Sequence, residues 1–301
     1  MKTAFITGIM GQDGTYLKKI LLEKGYKIVG FDKFVYNNFD IEYECVDLSD
    51  YKTVLFLIKK YKPQVIFNLA GVSDVFDPWN NISEITSSNI LIPQNFIKAI
   101  IYQNPEIIFC QASSCLVFGK TKTKIQSETT PREPIYPYGF SKNFIDGIIK
   151  EYREEKGFNF CSGIFYNHDS PYRGENFFIK KIISFAKQIN QNTKKINFYN
   201  LNVKKDLGYA EDYMEAFYLM SQEKKVDDYI ISSSKLTNLM DVVQQVSSLS
   251  GHNLLDYIEI HTDVKHSDNC LFGDNTKIQK KLGWSPKTAY ADVVEKIWNN
   301  F

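Results

Sequence analysis

Long apolar runs are missing from this chain of 301 residues, and none reaches the length that spans a bilayer, which argues against a membrane protein. An excess of charge is missing too. Lys and Arg number 36 against 35 Asp and Glu, a net +1, so no electrostatic argument favours nucleic acid or an anionic membrane as partner. Paired cysteines are also absent. Cys45, Cys110, Cys115, Cys161 and Cys270 are scattered and odd in number, with no C-x-x-C spacing, and read as reduced thiols rather than a disulfide frame or a zinc site. The opening MKTAFITGIMG lacks a secretory layout, and no repeat, low-complexity tract or long linker is visible. A cytoplasmic, soluble protein is the expectation. The composition, 44% apolar and 24% charged, is that of an ordinary globular chain long enough for one large domain or two modest ones.

What is present begins with a short apolar run, TAFIT, that the pattern predicts as a buried strand. Gly8, Gly11 and Gly14 follow in G-x-x-G-x-x-G spacing, with Gln12 and Asp13 between them. YLKKILLEKGY then reads as an amphipathic helix ended by Gly25, and KIVGFD as a second strand closing on Asp32. Three glycines alone fit any tight turn. With both strands, the helix and the acid in register they describe a dinucleotide site: glycines let backbone approach a pyrophosphate at the helix N-terminus, and Asp32 can accept bonds from ribose hydroxyls. CVDL reads as a third strand bringing Asp47 and Leu48 to the adenine edge, and QVIFNL as a fourth, followed by the small turn that holds Leu69 and Ala70. A helix is predicted from Ile85 to Tyr102, a fifth strand over Glu106–Cys110, and a sixth over Asn159–Phe165. This alternation predicts an α/β doubly wound parallel sheet over residues 1–165, with later segments returning to it, and a smaller mixed α/β lobe over 166–301.

Between the fifth and sixth strands lies QASSCLVFG, a polar loop and YPYGFSK. Ser114 ends the strand. Tyr138 and Lys142 stand one helical turn apart on one face. An ammonium beside a phenol stabilises the phenolate, so Tyr138 is expected to exchange a proton nearer neutral pH than its ordinary value of about 10. With Ser114 holding the same substrate oxygen, the trio suits hydride transfer at a carbinol or ketone. Cys115 reads as packing, Tyr16 as packing, and His168 as a structural hydrogen-bonding residue.

These segments resemble the extended short-chain dehydrogenase/reductase family over essentially the whole chain, and within it the GDP-mannose 4,6-dehydratases and their reductase relatives. TGIMGQDGTYL looks like the subgroup's TGITGQDGSYL, YNHDSPYRGENFFIKKI like FNHESPRRGETFVTRKI, and LNVKKDLGYAEDYMEA like LDAKRDWGHAKDYVEA. The resemblance implies a Rossmann domain binding NAD(H) or NADP(H), and a GDP-linked nucleotide sugar in the second lobe. It makes Tyr138 the acid/base, Lys142 its partner on the ribose, and Ser114 the hydroxyl on the sugar C4 oxygen. Asn167, Lys181 and Lys205 match positions that hold the nucleotide sugar, joined by Arg173, Lys265 and Asp268. Many family members pair through the helix carrying Tyr-Lys, so a homodimer or higher homo-oligomer is expected, with Phe140, Phe144, Ile148 and Tyr152 on one stripe of that helix.

Three departures narrow the chemistry. The dehydratases read ASTSELYG where this chain has ASSCLVFG, so their Thr becomes Ser114 and their carboxylate becomes Leu116. Leucine transfers no proton, and such help is worth about 10² to 10⁴ in rate. Asp32 stands where the dehydratases carry an arginine for the 2′-phosphate, which favours NAD(H), with Lys33 as a partial counterweight. Lys205 replaces an arginine that grips pyrophosphate. C4 reduction of a 4-keto-6-deoxy sugar is therefore the leading expectation, ahead of an NAD-retaining 4-epimerase or C4 dehydrogenase. A 4,6-dehydratase would need a relocated base, for which Glu128 and Asp169 are the nearest carboxylates.

Overall fold

The computed structural model describes residues 1–36, 40–72, 79–191, 193–261 and 271–301. In its first part strand and helix alternate: β1 (Thr3–Thr7), α1 (Gln12–Glu23), β2 (Lys27–Asp32), β3 (Glu42–Cys45), α2 (Tyr51–Tyr61), β4 (Val65–Asn68), α3 (Ile82–Thr86), α4 (Ile92–Gln103), β5 (Ile108–Ser114), α5 (Pro137–Lys156) and β6 (Phe160–Phe165). Then come β7 (Asn167–Asp169), α6 (Phe178–Lys187), β8 (Ile196–Tyr199), β9 (Lys204–Tyr209), α7 (Ala210–Met220), β10 (Tyr229–Ile231), β11 (Leu236–Asn238), α8 (Leu239–Ser250), β12 (Ile258–His261), α9 (Thr276–Leu282) and α10 (Tyr290–Asn299).

Seven strands form one parallel sheet in the order β10-β6-β5-β4-β1-β2-β3. Its central strands are buried along their whole length, which explains why apolar residues dominate them. α1 and α7 cover one face, in a core that continues into α6, α8 and α10. α2, α4 and α5 cover the other. Two smaller sheets, β11-β9-β7 and β12-β8, belong to the later segments. Because β1 sits between β2 and β4, the chain leaves the sheet in opposite directions there, and a crevice opens beyond the carboxyl ends of the strands. Among the described residues no helix is long and apolar enough to cross a membrane.

Three elements differ from the sequence expectation. The third strand is Glu42–Cys45 rather than Cys45–Leu48, because its pairing with β2 ends at Asp32 opposite Cys45. Asp47 lies in the following turn, where its carboxylate accepts from the Ser49 amide at 2.8 Å. The fifth strand runs on to Ser114, since parallel pairing with β6 continues to Phe165. The helix expected from Ile85 begins at Ile82 and includes a π-helical turn, Ser87–Leu91, between α3 and α4.

Candidate active site

At the carboxyl edge of β1, β4 and β5 a row of buried side chains satisfies itself. Thr7 Oγ1 donates to Asn68 Oδ1 at 2.6 Å, Asn68 Nδ2 donates to Gln111 Oε1 at 2.8 Å, and Gln111 Nε2 donates to the Ala112 carbonyl at 2.7 Å. The amides of Leu69 and Ala70 donate back to Thr7 Oγ1. With every group partnered, the row fixes three strand ends at one level. A cavity of about 1000 Å³ opens above it.

One end of the cavity is the glycine turn. Gly8 has φ +66°, and a Cβ there would meet the backbone of Ala70 at 3.0 Å; one on Gly14 would lie 2.6 Å from the Gly8 carbonyl oxygen. α1 is preceded by Gly11 at its N-cap, with no side-chain cap, so its first amides are left unsatisfied by side chains. Asp32 accepts from the Lys33 amide at 2.8 Å and from the Met10 amide at 3.3 Å. Lys33 does not lean on Asp32; its ammonium pairs with Glu84 at 3.0 Å. Gly8, Gly11, Gln12, Asp13, Gly14, Asp32, Asp47, Leu48, Leu69 and Ala70 all line this region. These residues form a cradle that fits a dinucleotide: a turn only glycine can make, open helix amides, and an acid at the second strand.

Ser114, Leu116, Tyr138 and Lys142 line the middle. β5 carries Ser114 to the rim, and α5, begun by Pro137 at its first turn, presents Tyr138 and Lys142 on its buried face. The Ser114 hydroxyl oxygen accepts from the Leu116 amide at 3.2 Å. The Lys142 ammonium donates to the Ala112 carbonyl at 2.9 Å and lies 5.7 Å from the Tyr138 ring centroid. The expected acidification of the phenol is overturned. Burial pushes Tyr138 up to about 12, and the Ser114 hydroxyl and the Arg173 charge only partly oppose it. Burial also pushes Lys142 down to about 8, against the pull of Asp146 one turn further along α5. Cys115 is buried and its thiol is pushed up to about 12, which leaves it an inert packing group.

At the far end, Asn167, Arg173 and Lys205 line the cavity with Phe177, Phe178 and Leu239. The Arg173 guanidinium stacks 3.4 Å from the Phe177 ring centroid and lies 3.3 Å from Asp169. Lys181 is not brought to the cavity. It is on the exposed side of α6, its ammonium 5.4 Å from the Phe198 ring, because the inward positions of that helix are taken by Phe178 and Ile179. Lys265 and Asp268 lie outside the described residues. Neither relocated-base candidate stands free beside Ser114: Glu128 is outside the cavity and accepts from the Ile230 amide, and Asp169 accepts from the Tyr290 hydroxyl at 2.7 Å.

The family model described as GDP-mannose 4,6 dehydratase matches residues 5–297. The chain belongs to this family. It is 33% identical over 324 residues to GDP-mannose 4,6 dehydratase 1 of Arabidopsis thaliana, covering 98% of this chain and 88% of that protein. It is 30% identical to the human GDP-mannose 4,6 dehydratase, covering 98% of this chain and 90% of that one. In fold it is similar to dTDP-glucose 4,6-dehydratase of Bacillus anthracis, solved with NAD, at TM-score 0.87, 21% identity, and 100% and 96% coverage. UDP-glucose 4-epimerase of Brucella ovis, also with NAD, gives TM-score 0.89 at 16% identity, with 100% and 98% coverage. Within the GDP-mannose 4,6-dehydratase family fold, sequence reading missed Asn89. It is buried in the π turn, accepts from the Val72 amide at 3.0 Å, and donates to the Val72 carbonyl and to Ser141. An isolated Asn in SSNIL gives no signal, because the π turn that points it inward is a tertiary outcome. Asp146, which accepts from Ser113 and Ser162 and pairs with Arg132, was missed as well; its place one turn beyond Lys142 is the signal that marks it.

Proposed function

We propose that the protein carries out nicotinamide-dependent redox at C4 of a nucleoside-diphosphate sugar, and specifically reduces a GDP-linked 4-keto-6-deoxy sugar. The observation that carries this reading is Leu116, an apolar side chain in the cavity wall at the position where the dehydratases it resembles have a carboxylate. Removal of the C5 proton and loss of the C6 hydroxyl need that group; C4 reduction does not. When bound, the nicotinamide supplies the hydride. Tyr138, a protonated phenol at neutral pH, gives its proton to the C4 oxygen as the carbonyl carbon is reduced. The Ser114 hydroxyl holds the same oxygen, and the Lys142 ammonium supplies positive charge beside the reacting end. Arg173, Lys205 and Asn167 are suited to the diphosphate and sugar.

Asp32, together with Lys33 held by Glu84, disfavours a 2′-phosphate and therefore favours NAD(H) over NADP(H). That preference also suits the second reading, a 4-epimerase or C4 dehydrogenase that keeps its NAD. The names of the family members favour the dehydratase; Leu116 weighs against it. Purified protein incubated with GDP-4-keto-6-deoxymannose and NADH or NADPH should consume the reduced cofactor and yield a product two hydrogens heavier. No oxidation across a panel of nucleotide 4-keto sugars sinks the reductase. Loss of water from GDP-mannose would establish the dehydratase instead, and an isomer formed without net cofactor use the epimerase.

A further inference from the structure

The segments GQDG and NHDSP meet beside the cavity. Asp13 stands in the first turn of α1, and His168 on β7, 155 residues away. His168 Nε2 is 3.0 and 3.2 Å from the two Asp13 carboxylate oxygens, and Nδ1 is 2.7 Å from the Tyr166 carbonyl oxygen. A carboxylate and a carbonyl both accept, so both ring nitrogens must donate, and the ring is an imidazolium. Its other neighbours are the rings of Tyr213 at 4.9 Å and Phe165 at 5.5 Å, and the Arg173 charge. Burial and Arg173 disfavour a second cation here. Asp13 and the Tyr166 carbonyl outweigh them, and His168 titrates above its ordinary range while Asp13, despite burial, titrates below its own.

A carboxylate in this position is otherwise a liability. The uncapped amides of α1 are where an anionic group would dock, and Asp13 carries the same sign within the same turn. We infer that His168 is a positioning residue for the cofactor: as a cation it neutralises Asp13 and holds its carboxylate off the α1 N-terminus, which leaves those amides to a dinucleotide pyrophosphate. This rests on the nicotinamide reading above. Two neutral bonds hold the same segments together independently of charge, Ser170 Oγ to Gln12 Oε1 at 2.8 Å and Gln12 Nε2 to the His168 carbonyl at 3.3 Å.

The test is a fluorescence titration with NADH alone. His168→Gln keeps a donor towards Asp13 but no charge, and should raise the NADH dissociation constant about tenfold or more, the scale of one uncompensated charge a few ångströms away. Asp13→Asn added to His168→Gln should return it towards the wild-type value, which a merely structural role would not do. Wild-type affinity should fall as pH rises through the His168 titration, and Asp13→Asn should flatten that profile. A double variant as weak as His168→Gln, or a flat wild-type profile, overturns the inference. If His168→Gln does not fold, the wild-type and Asp13→Asn profiles decide. A wild-type protein that binds neither NADH nor NADPH overturns the nicotinamide reading, and this inference with it.

Discussion

A phenol and an ammonium one helical turn apart do not ionise here as the same pair would in water. Loss of hydration outweighs their mutual help, so Tyr138 rises to about 12 and Lys142 falls to about 8. At neutral pH the tyrosine is a proton donor, the form a carbonyl reduction needs. The lysine is charged only below about 8, so turnover that depends on its charge should decline as pH rises through that value, which a pH–rate profile of the reductive reaction checks. Tyr138→Phe removes the proton and should lower turnover by at least about 10² while NADH still binds. Normal turnover in that variant would take Tyr138 out of the mechanism. The positions of Ser114, Tyr138 and Lys142 were legible in the sequence because two of them are fixed by helical spacing and the third by a strand end. Their ionisation was not, because the walls that bury them come from distant segments such as Phe165 and Arg173.

At the scale of elements, α5 carries the reacting groups at its start and is anchored at its end. Arg153 forks onto Asp228 with two bonds of 2.7 Å and also donates to the Phe160 carbonyl at 2.9 Å. Asp228 accepts in addition from the Ser162 amide. The cluster ties the helix to β6 and to the residue before β10. Asp228→Asn leaves a buried guanidinium uncompensated and should cost about 3–5 kcal/mol, readable as a lower urea midpoint. A midpoint within experimental scatter of wild type would show that the anchor is not needed. The apolar runs and glycine stops located nearly every strand and helix of the parallel sheet. What they could not fix was where pairing ends, which moved β3 and lengthened β5, or that a continuous helical pattern contains a π turn.

At the scale of the molecule, the stripe on α5 divides. Ile148 and Tyr152 pack onto the core beneath the sheet, whereas Phe140 and Phe144 are 51% and 52% exposed. Two aromatic rings facing water from adjacent turns suit a helix-to-helix contact with a second copy. The wild-type protein is expected to run as a homodimer or larger in light-scattering chromatography, and Phe140→Asp with Phe144→Asp to shift it towards monomer; a wild-type monomer at high concentration would refute this.

The edge of β6 is closed by β10, which pairs Gly163–Phe165 with Tyr229–Ile231. During synthesis, therefore, an apolar strand waits with an open edge while the next sixty or so residues, including the whole of α7, leave the ribosome, a few seconds' delay at ordinary elongation rates. Until then β6 is a template for the wrong strand, from this chain or another. The Arg153 fork, which reaches the residue just ahead of β10, is complete only when that wait ends.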